Sequence, residues 1–169
     1  MHKTMRKSLM VFLTLIGFVA GIMLLPAFVQ ADDVTVEGKP RFTVTVSDDW
    51  TKQTPKSKSD KLIYAAPAGD KGVYLSIYDI AEGMKLEDHA KNYGIGMDGY
   101  KIISNKPFEL EDGTKAYFAE VEYLWGGSSE VTAGVMSAFK DGKWVCVHLW
   151  TMGALEDEEM EILESLVFE

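Results

Sequence analysis

The chain has 169 residues, of which 47% are hydrophobic, and carries 26 acidic against 17 basic side chains, a net charge of −9. Such an acidic surface repels phosphate backbones and anionic lipid headgroups, which argues against nucleic acid as a partner. A single cysteine, Cys146, excludes an intramolecular disulfide, so burial of apolar side chains must stabilise the fold.

The N-terminal segment has the three parts of a secretion signal. Three basic residues precede an almost unbroken apolar run from Leu9 to Leu25, and Pro26 and Ala31 then supply a helix breaker and a small residue for cleavage. We predict a signal peptide over residues 1–31, cleaved after Ala31, and export to the periplasm or the extracellular space. The alternative is an uncleaved anchor, the one case in which we expect membrane attachment.

Removal of this signal leaves 138 of the 169 residues and 14 of the 17 basic side chains, so the exported part has a charge of −12. A chain of that length is typical of one domain with its own core. We place this single globular domain at residues 41–169, after a short polar leader over residues 32–40.

Alternating apolar residues predict the first strands of the domain. The pattern over residues 42–46 has period two and is rich in β-branched side chains, and residues 62–64 and 72–79 continue it. Between them, residues 51–60 carry lysines and no apolar side chain. This segment is predicted as a solvated loop, with a basic docking patch as the alternative.

The periodicity then changes to that of a helix. Leu86, Ala90, Tyr93 and Met97 recur at spacings of four, three and four, which places them on one helix face. The glycines of the segment 94–99 match G-x-G-x-x-G and end this helix. A dinucleotide site needs a strand before that motif and a helix after it, and here the order is reversed, so we reject a nucleotide site.

The remaining segments predict short strands at residues 102–103 and 108–110, a helix over residues 154–166, and three long strands joined by Gly-containing hairpins. The long strands cover residues 115–125, 130–139 and 143–151. The expected fold class is α+β, an antiparallel sheet of about six strands with helices packed on it as an α/β/α sandwich.

Three residues are candidates for a binding site. Cys146 and His148 lie two apart on a predicted strand and so share a face, where a thiolate and an imidazole can form a metal or thiol site. Two ligands are too few for structural zinc, and the alternative is a buried strand face with Cys146 as a small hydrophobe. Trp125, at the mouth of a hairpin, is predicted as an exposed binding aromatic. We expect His89 on the helix surface and identify no catalytic or metal-binding constellation.

Four segments together resemble the PsbP-like superfamily of small exported domains. They are the opening strand and turn at residues 42–50, the helix start at 86–90, the hairpin start at 113–116 and the closing segment at 162–168. The resemblance implies an antiparallel sheet between helices. It also implies a protein that binds other proteins or helps to assemble them, rather than an enzyme. It carries over no functional residue.

The expected function is therefore that of an exported, non-enzymatic binding or accessory domain of the bacterial cell envelope, without a cofactor. We expect its partner to be another envelope or exported protein. The alternative is the metal or thiol site at Cys146 and His148. A hydrolase would need a serine or aspartate near His89 or His148 in space.

Overall fold

The computed structural model describes residues 31–169, which form two antiparallel sheets and two helices. The larger sheet has seven strands, in the spatial order β3-β4-β5-β9-β8-β7-β6, where the sequence predicts about six. Its strands are β3 (Thr51–Gln53), β4 (Asp60–Ala65), β5 (Lys71–Asp79), β6 (Lys101–Glu109), β7 (Lys115–Trp125), β8 (Ser129–Lys140) and β9 (Lys143–Thr151). The extra strand is β3, whose three exposed residues give no hydrophobic pattern.

The strand β6 joins two segments that the sequence predicts as separate short strands. It runs through Pro107, which lacks the amide hydrogen that a central strand would need. The edge position of β6 resolves this conflict, because one side of an edge strand forms no hydrogen bonds within the sheet.

A smaller sheet pairs the start of the described chain with its end. Its strands β1 (Ala31–Val36), β2 (Phe42–Ser47) and β10 (Val167–Phe168) lie in the order β1-β2-β10. The segment 32–40, which the sequence assigns to a leader, instead supplies most of β1, because Val34 and Val36 bury their side chains in the core. The predicted signal peptide falls almost entirely on residues outside the described range.

The two helices cover opposite faces of the large sheet. Helix α1 (Leu86–Lys91) is shorter than predicted, because the chain leaves the helix at Asn92, ahead of the glycines. Helix α2 (Asp157–Glu164) begins with a capping box formed by Glu156 and Glu159, which stabilises the start of the helix. Neither helix within residues 31–169 combines the length and the apolar content needed to cross a membrane.

The alternation along β9 separates the two faces of the large sheet. Val145, Val147 and Leu149 point towards α2 and the small sheet, where they join the larger of two apolar clusters. The intervening residues of β9 point to the opposite face, which α1 and the chain after it cover. A helix of six residues spans about 9 Å, whereas seven strands span about 30 Å, so part of this second face stays uncovered.

Candidate functional site

An aromatic cleft of about 490 Å³ opens on the sheet face that α1 covers only in part. Its volume lies in the range of pockets that take small ligands. We define the aromatic cleft by the six aromatic and imidazole side chains that line it: Tyr74, Tyr93, Tyr123, Trp125, His148 and Trp150. Three strands and one loop supply these residues, so the cleft exists only in the folded domain.

Strand pairing explains why the side chains from the sheet point into one space. Tyr74 of β5 lies directly opposite His148 of β9, and opposite residues of neighbouring strands share a face. Trp150 follows His148 by two positions and returns to the same face. Tyr123 and Trp125 of β7 show the same spacing at the far side of the cleft.

The glycine motif forms one wall of the cleft, as part of the loop 92–100. All three of its glycines have positive φ, and a Cβ at Gly99 would lie 3.0 Å from Cγ of Leu124. The Leu124 amide donates a hydrogen bond of 2.7 Å to the carbonyl of Asp98, which fastens the loop to β7. The loop thereby holds Tyr93 and Met97 over the sheet, a positioning role that the sequence analysis did not identify.

His148 forms the floor of the cleft and is 6% exposed. Its ring stacks on Tyr74, with 5.5 Å between centroids, and Tyr93 covers it at 4.2 Å. Neither ring nitrogen has a hydrogen-bond partner among the described residues. Burial lowers the pKa of His148 to about 3, so at neutral pH the uncharged ring holds one unused donor and one unused acceptor.

Cys146 shares the face of His148, as the sequence predicts, but it does not reach the cleft. Its side chain is 0% exposed, and burial raises the pKa of the thiol to about 12 although Ser137 lies within hydrogen-bonding reach. A thiol with so high a pKa is a poor nucleophile at neutral pH. Across residues 31–169, no group of three or more His, Cys, Asp or Glu side chains is placed to hold a metal ion.

His89 points inward, and the expectation that it lies on the helix surface is wrong. Its ring stacks on Trp144, with 4.5 Å between centroids, and Nδ1 lies 2.9 Å from Oγ of Ser137. Burial lowers the pKa of His89 to about 4. The pairing of a histidine with a serine meets the stated condition for a hydrolase, but Ser137 is 0% exposed and therefore closed to a substrate in this conformation.

Trp125 ends β7 ahead of the turn through Gly126 and Gly127, and its side chain is 53% exposed. Met97 and Met152, also exposed, lie beside it at the mouth of the cleft. We call these three residues, Met97, Trp125 and Met152, the apolar rim. The structure thus places two of the three predicted site residues, Trp125 and His148, in one cleft and leaves the third, Cys146, outside it.

Among the described residues that line the cleft, only Lys56 and Asp60 carry a charge. Lys56 belongs to the lysine-containing segment 51–60 and is exposed. The Asp60 carboxylate accepts a hydrogen bond of 3.0 Å from the hydroxyl of Ser76. The walls of the cleft are otherwise uncharged, and the two charges are of opposite sign.

Replacement of Gly72 by alanine should disturb the cleft and the fold together. A Cβ at this position would lie 2.8 Å from the carbonyl oxygen of Tyr64 and 3.0 Å from Nε1 of Trp150. Because the first contact is with backbone, the strand or the Trp150 ring must move. We expect Gly72→Ala to lower the free energy of unfolding by about 1–3 kcal/mol, measured by urea denaturation. Gly153→Ala is the matched control, because its nearest neighbour would lie at 3.8 Å. Equal stability of the two variants would contradict the packing described here.

The chain matches no protein-family model, and it has no significant match among curated protein sequences. Solved structures do share its fold. The solution structure of cyanobacterial PsbP from Synechocystis sp. PCC 6803 aligns with a TM-score of 0.61 at 15% identity, covering 85% of this chain and 95% of that chain.

Two further structures align less closely. LpqN, a protein of Mycobacterium tuberculosis involved in cell envelope biogenesis, gives a TM-score of 0.49 at 18% identity, covering 80% of this chain and 86% of that one. A Pseudomonas aeruginosa protein of unknown function gives 0.42 at 11% identity, covering 70% and 82%. At such low identity these alignments describe the fold alone, and the fold assignment uses the cyanobacterial structure, with its TM-score of 0.61. The chain has the PsbP-like fold that its sequence predicts.

Proposed function

We propose that this chain is an exported, non-enzymatic accessory domain that binds another component of the cell envelope through the aromatic cleft. The observation that carries the proposal is the apolar rim, where Trp125 is 53% exposed beside two exposed methionines. A contiguous exposed apolar patch is typical of a binding surface, and tryptophan is enriched among the residues that dominate binding energies.

The chemistry of the buried groups supports binding rather than catalysis. The hydroxyl of Ser137 and the thiol of Cys146 are both 0% exposed, so neither nucleophile meets a substrate in this conformation. His148, which does line the cleft, stays uncharged at neutral pH, and its ring nitrogens form no hydrogen bond to a described nucleophile that they could activate. The metal or thiol site at Cys146 and His148 gains no support from this arrangement.

The three-part N-terminal segment supports export. We expect the chain to be found in the envelope or the medium, with Asp32 as its first residue when the N-terminus is sequenced. Retention of Met1 in envelope membranes would instead indicate an uncleaved anchor. The intact chain in the cytosol would contradict the proposal.

Site-specific photo-crosslinking tests the binding role. A photoreactive phenylalanine derivative, which keeps an aromatic ring at this position, replaces Trp125 in the full chain, and irradiation of whole cells should give a discrete crosslinked product in the envelope fraction. Ile103 on β6 is the matched control position, because it is apolar and 48% exposed but does not line the cleft. Equal crosslinking at both positions, or crosslinks to cytosolic molecules alone, would argue against the proposal.

A further inference from the structure

We propose that the aromatic cleft binds an uncharged oligosaccharide, with a sugar ring packed against its aromatic side chains and His148 hydrogen-bonded to the polar groups of the sugar. The inference rests on the proposed function of this chain as a binding domain and specifies the ligand. The sequence alone led us to expect another envelope or exported protein as the partner. The structure leads us to propose a glycan instead.

The walls of the cleft suit the apolar face of a sugar. A pyranose ring presents C–H groups on its faces and hydroxyl groups around its edge. Aromatic rings pack well against such C–H faces, and tyrosine and tryptophan also offer a polar group at the ring edge. Four lining residues are of these two types apart from Trp125: Tyr74, Tyr93, Tyr123 and Trp150. Burial raises the pKa of Tyr123 to about 12, so its hydroxyl stays a hydrogen-bond donor at neutral pH.

His148 indicates the kind of polar group that the ligand carries. An uncharged imidazole needs an acceptor for its N–H and a donor for its other nitrogen, and both nitrogens are unpartnered among the described residues. A hydroxyl or acetamido group provides both functions. A carboxylate or phosphodiester provides only acceptors, and an ammonium group provides only donors. An unpaired buried polar group is destabilising by about 1–3 kcal/mol, so a ligand that pairs it gains affinity.

The charges around the cleft favour an uncharged ligand. Lys56 and Asp60 lie on the same loop-to-strand segment and carry opposite signs, and Asp60 already accepts a hydrogen bond from Ser76. Neither charge lies on the floor, where His148 remains neutral because of burial. The charge of −12 on the exported part repels anions as a whole. These charges disfavour an anionic ligand, and the two unpartnered nitrogens of His148, which need one donor and one acceptor, fit a neutral glycan better than an ammonium group.

The loop 92–100 lies over the imidazole of His148. Tyr93 covers His148, with 4.2 Å between ring centroids, and both ring nitrogens are closed to solvent. Gly94 follows Tyr93 directly with φ of 80°, while the anchoring hydrogen bond of the loop lies further along, at Asp98. In the proposal, the sugar displaces the Tyr93 ring from the imidazole while the anchored part of the loop stays on β7.

The inference is tested by titration with neutral trisaccharides. The protein used is the full chain, purified in the form that its host produces after any signal cleavage. Tri-N-acetylchitotriose, cellotriose and maltotriose are the probes, and choline and glucuronate are the cationic and anionic comparators. Intrinsic fluorescence reports on the cleft because Trp125 and Trp150 line it, whereas Trp50 and Trp144 are buried elsewhere. We expect saturable binding of at least one trisaccharide with a Kd on the order of 1 mM or below, verified by calorimetry.

Two variants connect that binding to the cleft. Trp125→Ala and His148→Phe should each weaken trisaccharide binding about tenfold or more, and Ile103→Ala should leave it unchanged. Trp125 is exposed, so its variant folds even if the His148 variant does not. Three results would overturn the inference. They are preferential binding of choline or glucuronate, no binding of any trisaccharide, and unchanged trisaccharide affinity in Trp125→Ala. If position 125 crosslinks to an envelope protein and the chain binds no sugar, the inference about a glycan is overturned but the proposed binding function is not. The absence of any envelope crosslink there overturns the proposed function.

Discussion

Replacement of Leu163 by alanine is expected to lower the free energy of unfolding by about 2–5 kcal/mol. Leu163 is 0% exposed and connects α2 to the large sheet. It fits there because the facing position on β8 is Gly134, where a Cβ would lie 2.4 Å from Cδ1 of Leu163. The truncated side chain leaves a cavity that the rigid sheet cannot fill by collapse. Small domains are stable by only about 5–15 kcal/mol, so this loss is a large share of the total.

Chemical denaturation with fluorescence and circular dichroism measures the effect. Leu155→Ala is the matched control, because Leu155 also contacts the Gly134 position but is only partly buried. We expect it to lose clearly less than the Leu163 variant. Similar losses for both leucines would show that α2 is held less tightly on the sheet than the packing at Gly134 indicates.

The second large effect is a loss of stability as pH falls from 7 to 5. Burial lowers the pKa of His148 to about 3 and that of His89 to about 4, whereas both have a pKa near 6.5 in the unfolded chain. Below pH 6.5 the unfolded chain therefore binds protons that the folded domain does not. The free energy of unfolding consequently decreases as the pH falls, until the pH reaches the pKa values of the folded domain. We expect His148 to contribute a loss of about 2 kcal/mol by pH 5, and the partly exposed His89 less.

Comparison of variants isolates this effect from the other changes that accompany acidification. His148→Phe keeps a ring between Tyr74 and Tyr93 but removes both unpartnered nitrogens. It should be at least as stable as the natural chain at pH 7, and its stability should fall less between pH 7 and pH 5. Denaturation curves at several pH values provide the measurement. Parallel pH profiles for the two proteins would mean that His148 titrates normally in the folded domain.

Local sequence patterns determined most strands and the local placement of the three candidate site residues. The alternation along residues 143–151 was sufficient to place Cys146 and His148 on one face, because side chains alternate strictly in a strand. Hairpin glycines fixed the ends of β7, β8 and β9, and the position of Trp125 beside one of them made its exposure predictable. These features depend on neighbours within about ten residues, which a sequence displays directly.

The tertiary structure alone decided which residues form the cleft. Tyr74, Tyr93 and Trp150 are far apart in the chain and meet only because β5 pairs with β9 while the loop 92–100 folds back over both. The inward turn of His89 likewise depends on where α1 lies against the large sheet, which no helical period specifies. Strand β1 was not recognised because its two buried valines acquire meaning only through pairing with β2. A binding site assembled from distant segments leaves no continuous pattern in the sequence, because the contacts that define it are long-range.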